Sequence, residues 1–142
     1  MISVVIATHN DERTLGQCLA ALVPAAIDGL VREVILADAG STDDTLEIAE
    51  DAGARVVRGD VALACQAARC DWLLIVKADH VAPQDWDAAV AAHVNGRSGK
   101  AAWWGRSGLF GGKTVQGLLV PRRAFDAAGY LGALAKAKRL KL

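Results

Sequence analysis

The 142-residue chain is 53% hydrophobic, which is enough for one ordinary core and too apolar for a disordered segment. Its sixteen basic and sixteen acidic side chains cancel, so no global field draws it to nucleic acid or to an anionic membrane. No apolar run approaches the roughly 20 residues that cross a bilayer, and the amino terminus lacks the basic segment of a secretory signal.

Taken in chain order, residues 2–7 form a β-branched run and are expected to be the first strand. Thr8-His9-Asn10-Asp11-Glu12 follows, with Asn10 or Asp11 a natural N-cap for a helix. That helix shows Leu15, Cys18, Leu19 and Leu22 on one stripe, and Pro24 and Gly29 close the region. Val34-Ile35-Leu36-Ala37 reads as a second buried strand. It runs into Asp38-Ala39-Gly40-Ser41-Thr42-Asp43-Asp44-Thr45, where Gly40 relieves the turn and Ser41 or Thr42 caps the next helix. Gly53 suits a helix stop, and Arg55-Val56-Val57 reads as a third strand. Residues 60–69 are expected to be helical.

Leu73-Leu74-Ile75-Val76 is the fourth strand, an apolar run of the kind buried on both faces of a parallel sheet. Lys77, Asp79 and His80 follow it directly, and ligands of open α/β sheets bind just beyond such strand ends. A plain polar turn closing a core strand is the competing reading. Pro83 is placed at a helix start. Trp86, Ala89, Val90, His93 and Val94 share a face of that helix, with His93 as a packing residue. Residues 101–104 and 114–120 read as two more strands joined by the glycine-rich stretch 105–112, and residues 121–129 as a short helix. The alternation of strands and helices implies an α/β sandwich.

Trp103 and Trp104 are neighbours on a strand, so one is expected inward and the other outward, free to stack on a sugar, seal a dimer or stand exposed. Ser107-Gly108-Leu109-Phe110-Gly111-Gly112-Lys113-Thr114 nearly spells a phosphate-binding loop. However, Ser107 replaces its first glycine and Thr114 opens a strand instead of a helix, so a hairpin or an acceptor-side flap is expected. Lys136, Lys138, Arg139 and Lys141 interleave with leucines, as in a peripheral membrane contact or a solvated tail. Cys18, Cys65 and Cys70 make no CxxC pair, and their odd number suits buried thiols in a reducing cytoplasm.

Three of these stretches resemble the family 2 glycosyltransferases. Residues 3–12 are similar to the family's opening strand and loop, residues 34–45 to its second strand and D-x-G-S-x-D turn, and residues 71–79 to its fourth strand and D-x-D motif. The order and spacing agree over about the first 95 residues, with a weaker echo in Gln116-Gly117-Leu118-Leu119-Val120-Pro121-Arg122-Arg123-Ala124-Phe125. The resemblance implies an α/β, GT-A-like (Rossmann-like) three-layer sandwich with a mainly parallel sheet. It also implies one domain over 1–142, with a nucleotide-binding half over about 1–95 and a shortened acceptor-side half over about 96–142.

The same resemblance implies a nucleotide-diphosphate sugar as ligand. Thr8, His9, Asn10, Asp38 and Gly40 would line its nucleoside, and Lys77 and Ala78 would face its phosphates. Asp79 would hold a divalent cation, Mn²⁺ or Mg²⁺. Asp38 is otherwise a turn-forming residue, and His80 is a further ligand or a turn histidine. Two departures from the family pattern stand out. Lys77 occupies the first D-x-D position, where an ammonium pairs with phosphate but not with a metal. Gly129-Tyr130-Leu131-Gly132-Ala133-Leu134-Ala135-Lys136 carries no carboxylate where inverting members keep their general base, and Asp126 precedes that position. Two readings follow: a minimal enzyme acting on an unknown acceptor, or a catalytically inactive relative acting as a binding or assembly partner. The short acceptor side also leaves room for a second copy of the chain.

Overall fold

A computed structural model describes residues 1–107, 109 and 112–142, so Gly108, Phe110 and Gly111 of the expected flap lie outside the described residues. The elements are β1 (Ile2–Thr8), α1 (Leu15–Ala20), α2 (Val23–Ile27), β2 (Val31–Asp38), α3 (Thr45–Asp51), β3 (Arg55–Arg58) and α4 (Val61–Ala67). They continue with β4 (Trp72–Lys77), α5 (Trp86–Asn95), β5 (Ala102–Ser107), β6 (Lys113–Pro121), α6 (Arg122–Lys136) and β7 (Lys138–Arg139). One sheet runs in the order β3-β2-β1-β4-β6-β5-β7. It is parallel except at β6, which pairs antiparallel with both β4 and β5.

Both faces of this sheet are covered, which is why its central strands read as unbroken apolar runs. Val4, Ile6, Leu36, Leu74 and Trp104 point toward Leu15, Cys18, Ala49, Trp86 and Val90 of α1, α3 and α5. Val5, Ile35, Leu73, Ile75 and Trp103 point the other way, onto Ala64 and Cys65 of α4 and Phe125 and Ala133 of α6. The expected three-layer α/β sandwich with a mainly parallel sheet is therefore present.

Several local expectations are corrected. Neither Asn10 nor Asp11 caps a helix. α1 starts at Leu15 behind Thr14, which makes no side-chain cap, and Asn10 adopts a left-handed backbone with φ 51°. Pro24 does not end a helix but sits in the first turn of α2, where a missing N–H costs nothing. α3 begins at Thr45 behind Asp44, beyond Ser41 and Thr42, and α5 begins at Trp86, three residues after Pro83. Gly53 does terminate α3, with φ 76°, its N–H on Glu50 O and the Ala54 N–H on Ala49 O.

Neither tryptophan faces outward: Trp103 and Trp104 are both 3% exposed, because each face of β5 has its own helical layer. His93 packs edge-on against Trp72 at 5.8 Å, with Nε2 2.7 Å from the Lys100 carbonyl oxygen. The basic tail is not frayed at its start. Lys138 and Leu140 donate to Ala101 and Trp103 at 2.9 and 2.7 Å, and the Arg139 guanidinium lies 5.7 Å from the Trp103 ring centre. α6 continues past Gly129, which breaks it at φ 65° and ψ −173°. All three cysteines are free and buried. Burial raises the Cys65 thiol to about 12.

Gly117 stands opposite Trp104 on β6, and a Cβ there would fall 2.2 Å from the indole. Gly117→Ala is therefore expected to cost about 1–3 kcal/mol through overpacking. Gly16, in α1, meets nothing within 4 Å, so Gly16→Ala should instead add about 0.5–1 kcal/mol. Thermal unfolding of the two variants checks both signs.

Candidate functional site

Strand register sets the site. Thr8 pairs with Asp38, Asp38 with Arg58, and Ala7 with Lys77, so β3, β2, β1 and β4 end nearly level at the carboxyl edge of the sheet. Thr8 and Asp38 are 4% and 3% exposed, while His9, Asn10, Gly40, Lys77 and Asp79 are exposed around them. Ala78 is buried and donates its N–H to Ala7 O at 3.1 Å, which ties the residue before Asp79 back to β1.

The loops after β1 and β2 are bonded to each other. The Asn10 N–H donates to Ser41 Oγ at 3.0 Å, and the Thr42 N–H donates to Asn10 Oδ1 at 2.8 Å. Asp11 N–H donates to Thr45 Oγ1 at 2.9 Å and Glu12 N–H to Asp43 Oδ2 at 3.3 Å, while Asp44 N–H returns to Glu12 Oε2 at 3.2 Å. Asn10 Oδ1 and Ser41 Oγ are thus committed to the facing loop instead of a helix end. Thr8 Oγ1 and His9 N–H both donate to Asp11 Oδ2 at 2.9 Å, so the Thr8 hydroxyl turns into its own loop. Thr45 donates to Asp43 through its backbone N–H and its hydroxyl.

Asp38 organises the second loop. Its Oδ2 accepts from the N–H groups of Gly40 and Ser41 at 3.1 and 3.0 Å, and its Oδ1 accepts from the Ser41 hydroxyl. Gly40 has φ 102°, a conformation that favours glycine. A carboxylate has about four acceptor positions, so the turn takes three of Asp38's and leaves one unused. Burial raises the Asp38 carboxyl, but the donors from Ser41 and Gly40 and the nearby His9 outweigh it and hold the group below its usual range.

Beyond β4 the picture is different. The Lys77 ammonium and the Asp79 carboxylate make no hydrogen bond or ion pair among the described residues. A cavity of about 490 Å³ opens beside Lys77. Ala7, Val61, Ile75 and Leu134 supply much of its apolar wall, and Gln116 and Tyr130 are among its polar groups. Burial raises the Tyr130 hydroxyl, which therefore stays protonated. Cys18, under this edge, is raised to about 11 by burial and by Asp11 and Asp79, which leaves it an inert thiol. Asp126 is not part of the site, since it lines a cleft with Trp72 and Pro121 at the amino end of β4. Sequence reasoning missed Ser41 and Thr42 as cross-loop partners, and also the Tyr130 wall; only the D-x-G-S-x-D turn signalled the former.

The chain is similar to known proteins. Residues 3–114 match the model of glycosyl transferase family 2. Over 62 residues the chain is 48% identical to glucosyl-3-phosphoglycerate synthase of Mycolicibacterium paratuberculosis, a match that covers 44% of this chain and 18% of that protein. The enzyme of that name from Mycobacterium tuberculosis is 47% identical over 62 residues, 44% of this chain and 19% of its own. The matched segment thus spans less than a fifth of these relatives' length. The crystal structure of the M. tuberculosis synthase in complex with uridine diphosphate superposes with a TM-score of 0.71 at 22% identity, covering 98% of this chain and 69% of that one. A complex with Mn²⁺, uridine diphosphate and glucosyl-3-phosphoglycerate gives 0.70 at 21%, covering 98% and 68%. At that identity the likeness establishes the fold.

The lowered carboxyls of Asp38 and Asp43 link stability to pH. A carboxyl held below its unfolded value stabilises the fold above about pH 4, and that contribution disappears as pH falls through and below this range. Asp38→Asn should lower the unfolding midpoint at pH 7 by several degrees and flatten its fall on acidification. Melting curves from pH 7 to 2.5 measure both effects.

Proposed function

The chain belongs to glycosyl transferase family 2, and from that premise we propose that it binds a nucleoside-diphosphate sugar across the carboxyl ends of β1, β2 and β4 and transfers the sugar to an acceptor. The observation that carries this reading is the asymmetry of the edge. One side is a polar rim whose groups are nearly all committed, and the other holds two uncommitted charges, Asp79 and Lys77, the latter lining a cavity. The rim suits a nucleoside, with Thr8, His9, Asn10, Asp38 and Gly40 around it; the uncommitted charges suit a diphosphate over Lys77, Ala78 and Asp79.

The donor set also fits a divalent cation that arrives with the nucleotide. Among the described residues no three His, Cys, Asp or Glu side chains form a ready-made cage. Mg²⁺ is commonly held by one or two carboxylates together with substrate phosphates, and the single exposed Asp79 carboxylate meets that need. When bound, such a cation draws charge off the departing diphosphate. Relatives solved with Mn²⁺ and uridine diphosphate support both the ion and uridine as the nucleotide to try first.

A second reading, binding without transfer, is favoured by one observation: residues 129–136 offer no carboxylate to take the acceptor proton. Release of uridine diphosphate from its glucose conjugate in Mn²⁺, measured against a range of acceptors, separates transfer from binding alone. Binding is tested by thermal unfolding with uridine, adenosine and guanosine diphosphates. A ligand at 100 times its dissociation constant adds about 2.7 kcal/mol, a rise of several degrees at this size. Such a rise is expected with uridine diphosphate and should be diminished in Asp38→Ala. No rise with any of the three would contradict the proposal.

A further inference from the structure

We propose that Lys77 is a built-in counter-charge for the diphosphate, so that this domain binds a nucleoside diphosphate without needing a divalent cation. The inference rests on the nucleotide-binding reading above and concerns what supplies the positive charge. Lys77 is the last residue of β4 and exposed, and its ammonium makes no hydrogen bond or ion pair among the described residues. It also lines the cavity that opens at the ends of β1 and β4.

The register puts it at the same edge of the sheet as Asp38, on the alternate face. Asp38 pairs with Thr8 of β1, and Lys77 pairs with Ala7 on the far side of the same strand. Neighbouring strands lie about 4.8 Å apart, so two strand spacings, roughly 10 Å, separate Asp38 from Lys77 along the edge. A base and ribose laid over the β2–β1 rim span that distance and bring the diphosphate onto β4. A lysine ammonium there acts as a point charge on phosphate oxygen through charge-assisted hydrogen bonds.

The same position works against a tightly held metal. The ammonium stands two residues before Asp79 and repels a dication that settles on that carboxylate. Among the described residues no group of three His, Cys, Asp or Glu side chains gathers there to offset the repulsion. The positive charge that offsets the diphosphate therefore comes from Lys77. A cation at Asp79 is left the role it plays as the leaving group departs.

Calorimetric titration of the full chain with uridine diphosphate, in EDTA and in Mn²⁺, tests this. The unaltered protein should bind with nearly the same dissociation constant in both. Lys77→Ala should weaken binding by about ten- to a hundredfold in EDTA, as expected for a lost charged hydrogen bond. Lys77→Arg should retain cation-free binding, and Lys77→Asp should bind only with Mn²⁺. Unfolding midpoints without ligand verify that these surface variants fold. Binding that disappears in EDTA in the unaltered protein, or that survives unchanged there in Lys77→Ala, would overturn the inference and leave the nucleotide site standing. Absence of binding by every form in both buffers would overturn the nucleotide reading together with it.

Discussion

The hydrogen bonds between the loop after β1 and the loop after β2 are the constraint on which the candidate site depends. Pairing of Thr8 with Asp38 brings the two strand ends level, but the backbone beyond them must still be ordered. Fixing a residue costs about 1–2 kcal/mol of conformational entropy, while a net hydrogen bond returns about 1. The links through Asn10, Ser41, Thr42, Thr45 and Asp43 therefore offset only part of that cost. Asn10 at φ 51° and Gly40 at φ 102° accept unusual backbone conformations so that both loops can face each other.

The sheet behind that rim is the rigid part. Its central strands send alternate side chains into two separate cores, which leaves little room for substitution on either face. Gly117 is one consequence, since the Trp104 ring occupies the space a side chain would need. The break in α6 at Gly129 is another local adjustment. It lets the segment carrying Tyr130 and Leu134 wall the cavity while Phe125 and Ala133 stay in the core.

The strands were legible in the sequence because burial on both faces writes a continuous apolar run, as in Leu73-Leu74-Ile75-Val76. The starts of α1 and α3 were not, because Asn10, Ser41 and Thr42 look like caps but bond across loops more than 30 positions apart in sequence. Local rules cannot see a long-range partner. The environment of Trp103 and Trp104 was missed for a related reason: alternation tells which face a residue takes, but not whether a helix covers that face. Within the site, the strand-end positions of Asp38, Lys77 and Asp79 followed from the apolar runs that precede them. The commitment of the Thr8 hydroxyl to Asp11, and of Asp38 to its own turn, did not.

The central claim is that one ligand bridges the two stitched loops and the end of β4. Amide hydrogen exchange with and without uridine diphosphate measures this most directly. Slowed exchange in residues 8–12, 38–45 and 77–80 together, with the amino ends of the strands unchanged, is the expected result. Protection confined to any other face of the sheet, or absent from both stitched loops, would contradict it.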